Sequence, residues 1–338
     1  MTISRLPETV LTLYAELLDQ LRGAEAPVSG SFVSKQIRGA TYWYFQTVVG
    51  GRKRQRYIGR ESPEVLARMR AASDARTAVA ADDQRRAELV AMLAAGGMVR
   101  EPAAVTSVLR ILDSAGVFRS GGVLIGTHAF TCYANLLGVR FEAQSLRTAD
   151  IDIGHDPAIL LAWKDESSAG VFEELRRVEP AFFAVPGIDS REPGTSFKVR
   201  GRDLRVDFLT PASSRSQTRP VLLPHLNVAA QPLAGLDYLL EDTIPAAIVG
   251  GSGVLVNLPQ PARFALHKLW IAQQRPASEQ AKVRKDLRQA EQMIEVLSDD
   301  RPDDLRVAIV ALQRRPSMLR AVRAASRKMN LLVRFGSI

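Results

Sequence analysis

The stretch Ala149-Asp150-Ile151-Asp152-Ile153 can fold in few ways, because its period is two: acid, apolar, acid, apolar. A helix would scatter these side chains around its circumference. A strand sends Ile151 and Ile153 into a core and Asp150 and Asp152 to the opposite face. A chain carrying this segment therefore builds a sheet with one buried side and sets two carboxylates about 7 Å apart on the other. Such a pair suits hard cations that prefer oxygen ligands, Mg²⁺ above all. A second strand-like run, Arg205-Val206-Asp207-Phe208, repeats the pattern with Asp207 between apolar neighbours. If the two strands are neighbours, three carboxylates repel one another unless metal neutralises them. That cluster suits two-metal chemistry at phosphate.

Upstream, Gly122-Val123-Leu124-Ile125-Gly126 is a short apolar strand ending in a turn, and Thr127–Leu137 reads as the helix that follows. Glycine lets a backbone approach phosphate closely. The Thr127 hydroxyl can donate to it, and the helix presents its N-terminal amides to the anion. His128 sits in the first turn, within reach of the same phosphates. An Asp-x-Asp strand alone is more often the solvated face of an edge strand; the Gly-Thr turn before it and Asp207 after it turn the balance.

In this order, strand, Gly-Thr turn, helix, Asp-x-Asp strand and later Asp, the chain resembles the DNA polymerase β-type nucleotidyltransferases. Gly126-Thr127-His128-Ala129-Phe130 with Arg147-Thr148-Ala149-Asp150-Ile151-Asp152-Ile153 is most similar to bacterial nucleotidyltransferase-like proteins related to the toxins of abortive-infection systems. The resemblance covers roughly residues 120–290. It implies Gly126 and Thr127 as the phosphate turn, Asp150 and Asp152 as ligands of catalytic Mg²⁺ or Mn²⁺, and Asp207 as third ligand and base for the acceptor hydroxyl. It also implies a triphosphate-contacting lysine on a Pro-led helix, and Lys268 in Pro261-Ala262-Arg263-Phe264-Ala265-Leu266-His267-Lys268-Leu269 fits. The spacing between Gly126 and Asp150 is longer than in compact relatives, with Gly138-Val139-Arg140-Phe141 between them. Lys268, Arg275 and Lys282 would share a face on one unbroken helix, but Pro276 interrupts it. Asp286 is placed to pair with Lys282 or Lys285.

The rest reads as extensions of this centre. An amphipathic helix spans about Pro7 to Arg22, and three strand-like runs follow: Phe32–Arg38, Thr41–Val49 and Arg52–Gly59. Their breaks, Arg38-Gly39 and Gly50-Gly51, suit tight hairpins. Ser62-Pro63-Glu64 caps a long helix running to Gly96. Thr41-Tyr42-Trp43-Tyr44-Phe45 lies among Arg38, Arg52, Lys53, Arg54 and Arg56. This meander resembles small DNA-binding sheets, with Tyr42 and Tyr44 to stack on bases and the cations to meet phosphate; the alternative is a structural sheet propped on the helix. A helix from Glu101 to about Ser114, helical character from Pro157 to about Val178, and a hairpin of Ser196–Val199 and Leu204–Leu209 complete the core with a loop over Arg215–Pro224. Gly250-Gly251-Ser252-Gly253 lacks the Lys-Ser/Thr of a Walker loop and reads as a hairpin turn. From Pro261 to Leu332 the chain reads helical, with a basic end from Arg314 to Arg334 that either faces an anionic partner or covers the core.

The expected fold is mixed α/β (α+β): an N-terminal meander and long helix (1–100), a nucleotidyltransferase mixed-sheet core (101–258) and a C-terminal helical subdomain (259–338). The formal charge of +9 is the footprint expected of a polyanion partner. A single cysteine, Cys132, excludes an internal disulfide and a multi-cysteine zinc site. No apolar run reaches the roughly 18 residues of a membrane span, and no signal peptide is evident, so a cytoplasmic location is expected. The expected activity transfers a nucleoside monophosphate from a triphosphate to an acceptor hydroxyl, on nucleic acid by the charge, with a protein or small-molecule hydroxyl open. The competing readings are a nucleic-acid-binding protein on the same scaffold with lost or minor catalysis, and a toxin that modifies a cellular RNA or protein.

Overall fold

Alternation at the centre of the molecule has the consequence its period dictates: Ile151 and Ile153 are 0% exposed, and Asp150 and Asp152, which alternate with them, lie on the opposite face. The computed structural model describes residues 3–24, 30–49, 52–142, 149–158, 170–185, 194–214 and 217–331, without the side chains of 48, 49, 52 and 54. In chain order it contains β1 (Ser4–Arg5), α1 (Glu8–Gly23), β2 (Ser31–Ile37), β3 (Ala40–Val49), β4 (Arg52–Arg60), α2 (Pro63–Ala95) and α3 (Ala103–Ser114). The core follows: β5 (Val123–Ile125), α4 (Gly126–Leu136), β6 (Val139–Arg140), β7 (Asp150–Gly154), α5 (Val171–Val178), β8 (Phe182–Ala184), β9 (Ser196–Val199) and β10 (Arg205–Pro211). Next come β11 (Val221–Leu223), β12 (Val228–Leu233), α6 (Leu236–Leu240) and the hairpin β13 (Thr243–Ile248) and β14 (Val254–Pro259). Helices α7 (Pro261–Gln274), α8 (Gln280–Asp300), α9 (Pro302–Leu312) and α10 (Pro316–Lys328) close the chain.

The central sheet is mixed. β7 lies between β5, which runs antiparallel to it, and β10, which runs parallel. The far edge of β10 is shared: β9 pairs antiparallel with its first half and β12 parallel with its second. One face of this sheet carries the largest apolar cluster, with Tyr133, Phe130, Phe197, Phe208 and Ile151 among its fully buried side chains. Burial of each such side chain stabilises the fold by about 1.5–3 kcal/mol before entropy is counted.

Several expectations shift at their edges. The helix expected from Glu101 starts at Ala103, because Pro102 sits at its N-cap with an extended backbone, ψ 145°. The Arg215–Pro224 segment is not all loop: Val221–Leu223 adds an edge strand to β12, with Pro220 and Pro224 bracketing it and hiding its pattern. The helical character expected from Pro157 is present only over Val171–Val178, while 157–158 form a turn and 159–169 lie outside the described residues. Gly50-Gly51, Arg147-Thr148 and Arg334 also lie outside them. Pro276 ends the α7 line as expected, so Lys268 and Lys282 ride on different helices. Among the described residues, no helix is long and apolar enough to cross a membrane.

The N-terminal segment grips the core through α1 and the far end of α2. Val10, Tyr14 and Leu17 pack on Leu89, Val90 and Leu93, and this cluster reaches Ala247 and Val249 at the β13–β14 hairpin. Tyr14 Oη donates to the Ala247 carbonyl (3.2 Å) and accepts from the Ala247 amide (3.0 Å). The meander is attached otherwise. Its first hairpin turns at Arg38 (φ 50°) and Gly39 (φ 75°), both left-handed as a tight hairpin requires. Ser62 caps α2 by accepting from the Val65 amide.

Candidate active site

The parallel pairing of β7 and β10 sets Asp152 directly opposite Asp207, and Asp150 opposite Arg205. Residues in register on neighbouring strands stand about 4.8 Å apart, so the two carboxylates share one patch of the sheet's polar face. Asp152 is pushed up to about 6, first by burial and then by the negative charge of Asp207, with Asp150 adding to it and Lys268 and His128 opposing. Asp150, at the strand's start, is exposed. Asp207 is already engaged: Arg205 Nε donates to its Oδ1 at 2.7 Å, and Ser196 Oγ donates to the same oxygen from the β9 residue in register with it. Arg205 Nη2 also donates to Ser196 Oγ at 3.0 Å. Among the described residues, no three His, Cys, Asp or Glu side chains close around a single point.

Gly126 explains why the turn needs glycine. Its φ is +69°, and a Cβ there would run into the Asp152 carboxylate. The backbone of the turn thus lies against the acid, and α4 begins at that point with its N-terminal amides uncapped by any side chain. Thr127 Oγ1 accepts from Lys285 Nζ at 2.8 Å, which ties the turn to α8. His128 points away from solvent: it is 2% exposed, and its Nδ1 lies 3.1 Å from Glu101 Oε2. Neither His128 Nε2 nor Glu101 Oε1 has a hydrogen-bond partner among the described residues.

Across from the carboxylates, α7 and α8 present cations. Lys268 Nζ bonds Asp286 Oδ1 at 2.8 Å, and Arg275 Nε bonds Asp286 Oδ2 at 2.6 Å. This corrects the expected pairing of Asp286 with Lys282 or Lys285: Lys282 instead meets Glu279, and Lys285 meets Thr127. The reason is burial. Asp286 continues the inward stripe Ala290, Met293 and Leu297 of α8, and a carboxylate taken inside must be paired. Burial lowers the Lys285 pKa, the charge of Lys268 lowers it further, and Asp152 and Asp286 raise it. Lys285 therefore stands within electrostatic reach of the acidic face. It was missed because charge spacing on one helix carries no information about a turn 158 residues away; the buried stripe through its neighbour Asp286 was the available signal. Ser196 was legible only once the β9–β10 register was known.

The meander residues divide between two faces. Tyr42 and Tyr44 cluster with Tyr57 on the outer face, ring centroids 6.3 and 5.5 Å apart, with Lys35 Nζ 4.7 Å from the Tyr44 ring. Arg56 stands opposite Phe45 in register and so lies on the inner face, towards α2. Arg38 and Lys53 are exposed; Arg52 and Arg54 belong to β4, but their side chains lie outside the described residues. His155 and His225, far apart in sequence, meet with Nε2 atoms 3.2 Å apart, and burial pushes His155 down to about 4. Cys132 is buried, as its apolar helix suggested.

A nucleotidyltransferase family profile matches residues 103–313, more than half of the chain, and a family described as a domain of unknown function matches residues 5–67. No curated protein matches, and no solved structure does.

Proposed function

The chain belongs to the nucleotidyltransferase family, and on that premise we propose that it transfers a nucleoside monophosphate from a nucleoside triphosphate to an acceptor hydroxyl on nucleic acid. The observation that carries this reading is the register of Asp152 with Asp207, beside the Gly126–Thr127 turn and opposite Lys268 and Lys285. On this reading the acids and the groups that would bind phosphate stand within electrostatic reach of one another. Residues 1–100 would extend the acceptor surface, 101–258 would carry the chemistry and 259–338 would close on the nucleotide. We place the reaction in the cytoplasm.

The donor set fits Mg²⁺ or Mn²⁺: Asp150, Asp152 and Asp207 offer only oxygen, and burial beside Asp207 leaves Asp152 carrying a charge it holds reluctantly. Held by these residues, the ion would supply Lewis-acid polarisation of the α-phosphate and offset developing negative charge. The backbone at Gly126 and the first amides of α4 bind the triphosphate, and Thr127 and Lys285 fix its outer phosphates. Lys268 is oriented by Asp286 and adds charge against the same group. His128, locked to Glu101, sets the first turn of α4 from behind. Asp207 accepts the proton of the acceptor hydroxyl. The acceptor oxygen forms its bond to the α-phosphorus as the bond to the bridging oxygen breaks, and pyrophosphate leaves with both electrons of that bond. On the meander, the Tyr42–Tyr44–Tyr57 face offers stacking and Arg38 and Lys53 offer phosphate contacts.

Pyrophosphate release from each triphosphate, with Mg²⁺ and single-stranded RNA or DNA, tests the reading. Turnover by the wild type that drops by about 10³-fold in both Asp150→Asn and Asp152→Asn supports it. A second reading, strand binding with lost or minor catalysis, draws on the engagement of Asp207 by Arg205 and Ser196. Wild-type protein that binds strands yet consumes no triphosphate with Mg²⁺ or Mn²⁺ would establish it instead. Growth arrest on expression, abolished by Asp150→Asn, would identify the same chemistry as that of a toxin.

A further inference from the structure

The meander and α2 touch at two places and stand apart between them. At one end Gly59 packs so closely on Val65 that a Cβ would sit 2.7 Å from its methyl group; at the other, Arg76 Nη1 donates to the Gly30 carbonyl at 2.9 Å. Val65 and Arg76 are eleven residues apart on one helix, about 16 Å along its axis. A cavity of about 730 Å³ opens between these points and continues along α2 past Arg76 as far as Asp83. On the sheet side it is walled by Phe32, Phe45 and Ile58, and on the helix side by small residues such as Ala72 and Ala75. Among the described residues, no meander side chain joins either apolar core cluster, and Phe32, Phe45 and Ile58 remain only half-buried. The sheet's inner face therefore lacks the cover that apolar side chains ordinarily require.

The chemistry of the rim narrows the occupant. Arg56 and Arg68 are exposed at the mouth, and Arg76 lies with its guanidinium carbon 5.2 and 5.3 Å from the Phe32 and Phe45 ring centroids. The Arg76 guanidinium is held against both rings, with its Nη1 on the Gly30 carbonyl, so Arg56 and Arg68 are the cations the mouth leaves open. Asp83, the acid at the far end, is taken up by Arg86 and Ser252. A purely apolar ligand would make no use of the Arg56 and Arg68 charges at the mouth. A second copy of the chain would bring the same cations against themselves. A paired base cannot enter a slot closed on two sides. An unstacked base can: it offers a flat face to Phe32 and Phe45, and its flanking phosphates meet Arg56 and Arg68. The volume suits one nucleotide.

We propose that the gap between the meander and α2 receives one unpaired nucleotide of a single-stranded nucleic acid, with its base against Phe32 and Phe45 and its phosphates on Arg56 and Arg68. This rests on the nucleic-acid acceptor reading, and it makes the meander the element that seats the acceptor strand. The outer tyrosine face then contacts the strand only where it leaves the cavity.

The test is fluorescence anisotropy of the full chain with labelled twelve-nucleotide RNA, the same DNA, and the matching duplex. Single strands of either sugar should bind at least tenfold more tightly than the duplex. Ala75→Trp, which fills the cavity from the helix side and leaves every sheet residue in place, should weaken single-strand binding about tenfold, the loss of one stacked base. Phe45→Ala should do the same. Arg56→Gln should reduce the slope of log K against log salt by about one. Asp152→Asn should lose transfer and keep strand binding, which separates failure of the catalytic reading from failure of this one. Undiminished strand binding by a folded Ala75→Trp variant overturns the cavity as the site while leaving the acceptor reading intact. Absence of strand binding by the wild type, or its replacement by dimerisation that Ala75→Trp abolishes, overturns both.

Discussion

The two sheets of this molecule are built from similar residues to opposite effect. In the central sheet, Ile151, Ile153, Val206 and Phe208 are completely buried, and the side chains that alternate with them, Asp150, Asp152, Arg205 and Asp207, are charged and lie on the opposite face. In the meander, both faces carry aromatic residues and neither is fully covered. The first sheet uses its apolar face for stability and leaves its polar face, the proposed seat of the chemistry, free. The second puts apolar surface where a partner can reach it, at the expense of stability, which is the arrangement expected of a binding element.

The sharpest way to break that comparison is to truncate one phenylalanine in each sheet. Phe208→Ala empties a fully buried position and should cost about 3–5 kcal/mol, read as a fall in the urea midpoint at unchanged slope. Phe45→Ala should cost less, about 1–2 kcal/mol, since that residue keeps part of its surface in solvent already. Equal losses would show the meander to be a structural sheet with a core of its own, which is the alternative its sequence left open.

The sequence spelled out β7 and β10 because a period of two with one apolar face has a single solution, while β8, β11 and β12 of the same sheet stayed hidden in it. It also yielded the turn at Gly126 and the break at Pro276, where glycine and proline act through their own backbones. What it withheld depends on which strands become neighbours. Ser196 beside Asp207, Lys285 beside Thr127 and His155 beside His225 are each products of tertiary register. The division of the meander's cations between faces was hidden for a related reason: a bulge between Trp43 and Tyr44 shifts the pairing, so the faces follow only from the observed ladder.

Gly126 and Gly201 offer a paired test of how closely backbone and acid are fitted. Both have left-handed φ, +69° and +74°, but a Cβ at Gly201 meets nothing within 4 Å while one at Gly126 meets the Asp152 carboxylate. Gly201→Ala should cost the backbone strain alone, about 1–2 kcal/mol. Gly126→Ala should cost about 1 kcal/mol more in urea midpoint and should also depress transfer. Equal costs with undiminished transfer would show that the turn does not need to lie against the acid.

Lys285 separates positioning of the nucleotide from chemistry at the acids. Lys285→Ala should raise KM for the triphosphate about tenfold, the loss of one charged hydrogen bond, while kcat changes less. A fall in kcat at constant KM would place the lysine with the reacting atoms instead.

The smallest expected effect bears on why an acidic face is kept at all. Burial beside Asp207 raises the Asp152 pKa to about 6 in the folded protein, against about 3.9 in an unfolded chain. Below about pH 4 the group is protonated in both states and costs nothing. As pH rises from about 4 to 6, the unfolded chain releases the proton while the folded one retains it, so folding loses stability across that window; above it the penalty is constant. Partial solvent access limits it to the order of 1–2 kcal/mol. In metal-free protein, Asp152→Asn should therefore match the wild type near pH 4 and exceed its stability by that amount at pH 7. Added Mg²⁺ should raise the melting temperature of the wild type and leave that of Asp152→Asn nearly unmoved. A variant no more stable than the wild type at pH 7 would mean that Asp152 carries its charge comfortably, and that this face of the sheet lacks the electrostatic strain that a bound cation would relieve.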